Sequence, residues 1–452
     1  MKKAAVGLLA VVMGFAIVAC SSGSGANGSD TAAGTSNDGK NVSGSNEGAS
    51  GAEEQVTIRV HWWGSQTRHD RTLEVIKMFE EQHPNIKVQP EFSSFEEYWK
   101  KMAAEAAGGN LPDVMNQNFG EYLSQYTSRD LLYDLSEFIA DGTIDTANIS
   151  QDVLESGSVD GKPYAISLGT NAFGVVYNPQ LIEQAGAKLP ALGWTWNDYV
   201  DVAKKVAEVT DYGVNNLAMS DLDKFRAFEV MLRENGQQVF NDEATGLGFA
   251  DDKVFVDFIS MELDLIKAGA MPPMDVAAEY NKSLEDSLIV HGKVGMDMAW
   301  SNQMVALNKA AGGHLEMAPL PGPNEKLGMF LKPSMFFSIP KTSEHKKEAA
   351  TFIDFFTNDV EANRILAAER GVPISSEVRQ AIKPDLDEIT QDTFDYIELV
   401  TANSSPIDNQ PPIANEVITM IQEAFEKVLY EQMTPEEGAK EVQEKAKEIF
   451  GR

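Results

Sequence analysis

Residues 56–115 read VTIRVHWWGSQTRHDRTLEVIKMFEEQHPNIKVQPEFSSFEEYWKKMAAEAAGGNLPDVM. Val56, Ile58 and Val60 alternate with polar residues, the period of a half-buried strand. After Gly64, Leu73, Ile76 and Phe79 recur at helical spacing, and the helix must stop before Pro84. The run from Asn85 to Gln89 alternates again. Ser94 and Glu97 have capping-box spacing and open a second helix, which Gly108-Gly109 closes. Pro112–Met115 reads as a third strand. The order β-α-β-α-β predicts a parallel sheet with helices on its faces, an α/β fold.

Upstream the chain changes character. Lys2 and Lys3 precede an apolar run from Ala4 to Ala19. That run is shorter than the roughly 20 residues a membrane span needs. With its charged head it has the layout of an export signal over residues 1–19. Ile17-Val18-Ala19-Cys20 reads as a lipobox, and Cys20 is the single cysteine of the 452 residues. Its expected fate is lipidation, with two or more acyl chains for stable anchoring. A lone cysteine excludes an internal disulfide framework and a cysteine zinc site. Residues 21–54 are rich in Ser, Gly, Ala and Asn, and Val42 is their one large aliphatic side chain. Residues 20–54 are therefore expected to be a lipidated cysteine and a flexible tether, with a reach of about 30 Å.

Downstream, about 400 residues favour two domains over one. The formal net charge of −32 repels phosphate backbones, which argues against nucleic acid as a partner. Further strands are expected at Val214–Ala218 and Val294–Met298. Helices are expected at Leu222–Asn235, at Lys253–Ala268 (Val254, Phe258, Met261 and Leu265 inward), at Asn302–Ala311 and over most of the C-terminal 75 residues. Thr434-Pro-Glu-Glu437 is a capping box with Pro at the first helical position.

Several segments together resemble the extracellular solute-binding proteins of ABC importers, in the carbohydrate-binding, maltose-binding-protein-like group. They are Trp62-Trp63-Gly64 with His69, His83-Pro84-Asn85, Ala107–Val114, Gly161–Ile166 with Val176–Asn178, Trp194–Asp198, Ala299–Asn302, Ser334–Ile339 with Glu348–Phe355, and Arg370–Ile374. Ser167 stands where that family usually carries proline. The resemblance implies a two-lobed periplasmic-binding-protein-like (type II) fold with three crossings and a ligand cleft between the lobes. The first lobe would comprise 55–166 plus 338–371, and the second 168–334 plus 373–452. It further implies capture of a sugar or oligosaccharide, closure by a hinge motion, delivery to the permease's transmembrane subunits, and a lipid-anchored place on the outer face of the cytoplasmic membrane.

A sugar ring offers an apolar face and a rim of hydroxyls, so its site needs flat aromatic walls and neutral hydrogen-bonding groups. Trp62 and Trp63 point to opposite faces if the strand continues. Trp63 is expected toward ligand and Trp62 toward the core. The resemblance makes Trp300 the main stacking residue, with Asn302 beside it. Asn116, Gln117 and Phe119 place amides next to an aromatic, and each amide both donates and accepts. Asn118 offers a helix cap. Asn171 has the same standing in the first crossing. Arg68 and Arg226 would clamp a carboxylate if the ligand is a uronate, a plant-cell-wall sugar acid for example; surface charge or a salt bridge is the competing reading. Trp194, Trp196, Met335 and Phe336 read as packing.

Other classes weigh less. The folded body carries no GxSxG, HExxH, Walker loop or GxGxxG that opens a helix, and nothing in it implies a cofactor. Among 69 acidic residues some glycosidase-like carboxylate pair can always be proposed, so an exported hydrolase stays only as an alternative. His61, His69 and Asp70 keep metal capture open, and peptide or polyamine binding fits the same fold.

Overall fold

The computed structural model describes residues 55–215, 223–249, 252–280, 283–313, 315–322, 325–407 and 410–451. Cys20, the export signal and the tether lie outside them, as do residues 216–218 of the strand expected at 214–218.

The elements that position the site are, in chain order, β1 (Val56–Trp63), α1 (Gln66–Gln82), β2 (Ile86–Ser93), α2 (Phe95–Gly108), β3 (Val114–Gln117), α3 (Glu121–Ser128), β4 (Ile166–Ser167), β5 (Thr170–Asn171), β6 (Phe173–Tyr177), α4 (Trp196–Val206), α5 (Asp223–Glu234), α6 (Lys253–Lys267), β7 (Met296–Trp300), β8 (Glu316–Ala318), β9 (Lys332–Pro333), β10 (Phe336–Ser338), α7 (Lys346–Asn358), α8 (Val360–Leu366), α9 (Ser376–Ile382), α10 (Glu388–Ala402), α11 (Ala414–Leu429) and α12 (Pro435–Phe450). β1 pairs in parallel with β2 and β3, as the opening stretch predicts. β10 then adds antiparallel to β3, and β4 closes the sheet in the order β2-β1-β3-β10-β4. A second, antiparallel sheet runs β8-β6-β7.

Two large cores follow from the two sheets. The first gathers Trp62, Phe79, Tyr98, Phe336, Phe337 and Phe352. The second gathers Phe225, Phe228, Phe255, Phe258 and Phe425 under α5, α6 and α11. Caps fix the helix ends: Ser65 accepts from the Arg68 N–H, and Gly109 ends α2 in a left-handed conformation. Thr195–Asp198 and Thr434–Glu437 form reciprocal capping boxes at α4 and α12. At Ser94 only the Ser94 half is made, to the Glu97 N–H.

Local differences from expectation have physical causes. β3 starts two residues later than the Pro112 start expected and includes Asn116 and Gln117, because β10 pairs alongside them at Phe337 and Phe336. Asn118 does not cap α3; Gly120, with φ +83°, does so without a side-chain bond. β7 runs on to Trp300 because Phe173 pairs opposite it. Val214 makes a single bridge, to Met296. Met261 is only partly buried, whereas its three expected partners are in the core.

Residues 373–452, expected as one block of the second lobe, divide. α9 packs on α8 of the first: the Ser376 N–H donates to the Asn148 carbonyl (2.8 Å), and Arg364 donates to the Ala381 carbonyl (3.1 Å). α10 contributes Phe394, Ile397 and Val400 to the first core, while its Tyr396 hydroxyl donates to the Phe173 carbonyl at 2.8 Å. β10, too, joins the first sheet from Phe336, two residues before the expected boundary. Among the described residues no helix is long and apolar enough to cross a membrane.

Candidate functional site: a cavity beside three chain crossings

The chain passes between the two sheets after Ser167 and again between Ala318 and Phe336, and a third segment at Arg370–Val372, the third crossing that the resemblance implies, is bonded to the first. β5 pairs antiparallel with β9, Asn171 opposite Lys332 and Thr170 opposite Pro333. Thr170 also exchanges backbone hydrogen bonds with Val372, at 2.8 and 3.1 Å. The crossings approach so closely that a Cβ on Gly169 would lie 2.4 Å from the Arg370 carbonyl oxygen. Gly371 takes φ +97°, a backbone that other residues rarely adopt.

Beside these crossings lies a cavity of about 390 Å³. Its wall includes one residue from each crossing, Asn171, Ser334 and Arg370, with Arg68 of α1, Glu369 and Asn302. Arg68 grips Glu369 through Nε (2.9 and 3.0 Å) and donates Nη1 to the Trp63 carbonyl (3.3 Å). Arg370 is only 3 % exposed and donates Nη2 to Thr72 Oγ1 at 2.7 Å. Burial, with Arg68 nearby, pushes its guanidinium down to about 9.

Trp300 stands at the end of β7, half-buried. Its ring lies 5.2 Å from Phe173, and the Lys332 ammonium sits 4.7 Å from the ring centroid. The next residue ties this loop to the first crossing: the Ser301 N–H donates to the Ala172 carbonyl (2.8 Å), and Ser301 Oγ accepts from the Ala172 N–H (3.1 Å). Phe119 packs against both large cores. Asn116 and Gln117 are fully buried at the C-terminal end of β3. Their amide nitrogens meet only sulfur, Met335 at 3.4 Å and Met115 at 3.8 Å, and their side-chain carbonyl oxygens have no partner. An unsatisfied buried acceptor costs on the order of 1–3 kcal/mol.

Comparison with known proteins decides the family. A model of bacterial extracellular solute-binding proteins matches residues 65–362. The chain belongs to this family. A family 1 extracellular solute-binding protein from Alicyclobacillus acidocaldarius superposes with a TM-score of 0.79 at 28 % identity, covering 89 % of this chain and all of that one. A multiple sugar-binding protein of Streptococcus mutans is 21 % identical over 68 % of this chain and 72 % of its own length. An arabinooligosaccharide-binding protein of Halalkalibacterium halodurans is 24 % identical over 63 % and 65 %. The match to an ABC transporter extracellular-binding protein of Pyrococcus horikoshii spans about a third of that relative (36 %), at 25 % identity and over 35 % of this chain. The two-lobed fold is thus that of a solute-binding protein.

Within that architecture the expected site residues separate. Arg68, Asn171 and Asn302 meet at the crossing cavity. Met335 links it to Asn116 through the amide–sulfur contact. Trp63, expected toward ligand, is 7 % exposed and packs among Phe95, Tyr98 and Trp99. Trp62 is wholly buried, and its indole N–H donates to His69 Nδ1 at 3.1 Å. Both tryptophans are interior packing, Trp63 under α2 and Trp62 against His69 of α1 and Phe92. Arg226 is closed in an ion pair with Glu229 at 2.5 Å, so the salt-bridge reading describes it better than a carboxylate clamp. Trp194 donates to the Pro319 carbonyl and Trp196 to Glu234, both as packing.

Burial pushes His61 down to about 4, and His69 is also lowered by burial and by Arg68. No group of three or more potential metal ligands occurs among the described residues. Sequence reasoning missed Glu369 and Arg370 as wall residues, although Arg370-Gly371 opened a quoted motif. It also missed Phe92 and Phe95, each 42 % exposed beside the tryptophans.

Proposed function

We propose that this protein captures an oligosaccharide between its lobes and delivers it to the membrane subunits of an ABC importer, held at the cell surface by lipid on Cys20. The observation that carries the reading is Trp300, a half-buried indole pinned by Ser301 to the first crossing. A ring face at a moving junction can stack on sugar C–H groups in the closed form. Asn171 and Asn302 then supply neutral donors and acceptors, and Phe119 touches both lobes where the cleft shuts. The sugar-binding names of two relatives support the ligand class, and the arabinooligosaccharide binder among them supports a plant-cell-wall source. The role is binding rather than hydrolysis, in keeping with the family.

A thermal-shift panel of malto-, xylo-, cello-, galacto- and arabino-oligosaccharides tests it. A ligand at 100 times its Kd adds about 2.7 kcal/mol, which moves the midpoint of a 400-residue body by about 3 °C. The shift is expected with at least one sugar and is expected to vanish in Trp300→Ala. Indifference to every sugar, or a shift untouched by Trp300→Ala, refutes the assignment. Incorporation of labelled palmitate in cells, lost in Cys20→Ala, checks the anchor.

A further inference from the structure

The wall of the crossing cavity is electrostatically unbalanced. Arg68 and Arg370 bring two guanidinium groups, and Glu369 is the one carboxylate among the residues lining it. Glu369 is held by Arg68 at 2.9 Å and lies 3.5 Å from Arg370 Nη1, too far for a good hydrogen bond. Arg370 Nε and Nη1 are left without hydrogen-bond partners, although the residue is buried. Arg68 Nη2 makes no hydrogen bond among the described residues. Three charged donors therefore surround a single anion. The other two crossings each add a buried oxygen with no partner, Asn171 Oδ1 and Ser334 Oγ.

We propose that this cavity is a carboxylate site, in which Arg370 and Arg68 bind the anionic group of a ligand and Glu369 is its built-in competitor. A carboxylate matches the planar fork of a guanidinium with two oxygens. It brings the second negative charge that the two arginines lack. The Ser334 hydroxyl can donate to it, and Asn171 Oδ1 can accept from a neighbouring ligand hydroxyl, so a hydroxylated acid satisfies every open group. Because these residues sit on all three crossings, a bound carboxylate also ties the crossings together and favours one lobe arrangement. The carboxylate can belong to the captured solute, as in a uronate, or to a free small acid. The site does not depend on the stacking role of Trp300.

The test uses the full chain and follows thermal midpoints and calorimetric affinity. Sodium acetate is compared with sodium chloride at equal ionic strength, and an oligogalacturonate with a neutral galacto-oligosaccharide. A saturable acetate effect identifies a free acid as sufficient; an effect of oligogalacturonate alone assigns the carboxylate to the solute. Arg370→Gln is expected to abolish either effect, and Arg370→Lys to keep the charge but weaken it. Glu369→Gln removes the competitor and is expected to tighten carboxylate binding at least about tenfold, the scale of one charged hydrogen bond. That gain cannot come from damage to the fold, and circular dichroism checks the arginine variants. If acetate matches chloride and the acidic sugar matches the neutral one, in both wild type and Glu369→Gln, the site is refuted. Trp300-dependent binding of a neutral sugar under those conditions leaves the oligosaccharide reading intact; an acetate effect without binding of either sugar keeps the carboxylate site and sinks the oligosaccharide reading.

Discussion

The two lobes treat buried polarity differently. In the second, the heart of the core is a cluster of phenylalanines, with Phe228 5.3–6.5 Å from five other rings; beside it Arg226 pairs with Glu229 through Nη1, while its Nε is left without a partner, as are Gln237 Oε1 and Ser287 Oγ. In the first, polar atoms are buried without partners: His61 Nδ1, Asn116 Oδ1, Gln117 Oε1 and two nitrogens of Arg370. Asn116, Gln117 and Arg370 lie at a strand's C-terminal end or on a crossing, the places where open sheets bind ligands. Burying such groups costs stability in the free protein. The difference lies in where the unpartnered groups sit: in the second lobe some border a phenylalanine core, and in the first Arg370 and the Met335 partner of Asn116 line the crossing cavity.

The largest effects should therefore come from the second lobe and leave the ligand alone. Phe228→Ala empties the centre of the ring cluster and is expected to cost about 3–5 kcal/mol. Glu229→Gln strands Arg226 as a buried cation, for a similar loss. Urea denaturation reads both. Their sugar affinity, measured well below the unfolding midpoint, is expected to stay within about twofold of wild type, since neither residue lines the crossing cavity. A variant that loses affinity as strongly as stability breaks the division of labour.

A middle-sized effect belongs to the first lobe and depends on pH. His61 is nearly inaccessible, and burial lowers its pKa from the ordinary 6.5 to about 4. The unfolded chain takes up the proton first as pH falls. Stability is therefore complete above pH 6.5, declines between 6.5 and 4, and loses no more on this account below 4, by about 3 kcal/mol in all. His61→Gln should flatten that slope by one proton. An unchanged slope between pH 4 and 6.5 removes His61 from the account.

Much of the frame was legible in the residues. Alternation in β1, the periodic Leu73-Ile76-Phe79 face and the Pro84 stop report local rules, and the parallel β1–β2–β3 order follows from them. The segment Arg370–Ile374, which the resemblance singled out, does border the cavity through Arg370, Gly371 and Val372. What stayed hidden depends on tertiary partners. Nothing local shows that β10 would pair with β3 and draw Asn116 and Gln117 into a strand. Arg226 is the exception: Glu229 stands three residues on along a helix that the sequence predicts, so their ion pair was available from spacing alone. Trp63 lost its expected role because α2 carries Phe95 and Trp99 over it, a contact no strand alternation can announce. The return of α9 to the first lobe rests on its bonds to Asn148 and Arg364, both distant in sequence or set by the turn between helices.

The smallest effect is the sharpest test of the contrast between the lobes, because its two readouts should move in opposite directions. Asn116 is buried, with its amide nitrogen against Met335 sulfur and its side-chain carbonyl oxygen without a partner. Asn116→Leu keeps roughly the same volume and removes the unsatisfied group. Were the residue a packing element, the change would be neutral or harmful. If instead it is held unsatisfied for a ligand hydroxyl, the variant should gain up to about 1 kcal/mol in stability, because the lost acceptor no longer costs its desolvation. The same variant should bind its oligosaccharide roughly tenfold more weakly, having lost one hydrogen bond in the closed cleft. Stability and affinity falling together would mean that the orphaned amide is an accident of packing, and the first lobe would lose its strongest claim to be the reading side of the cleft.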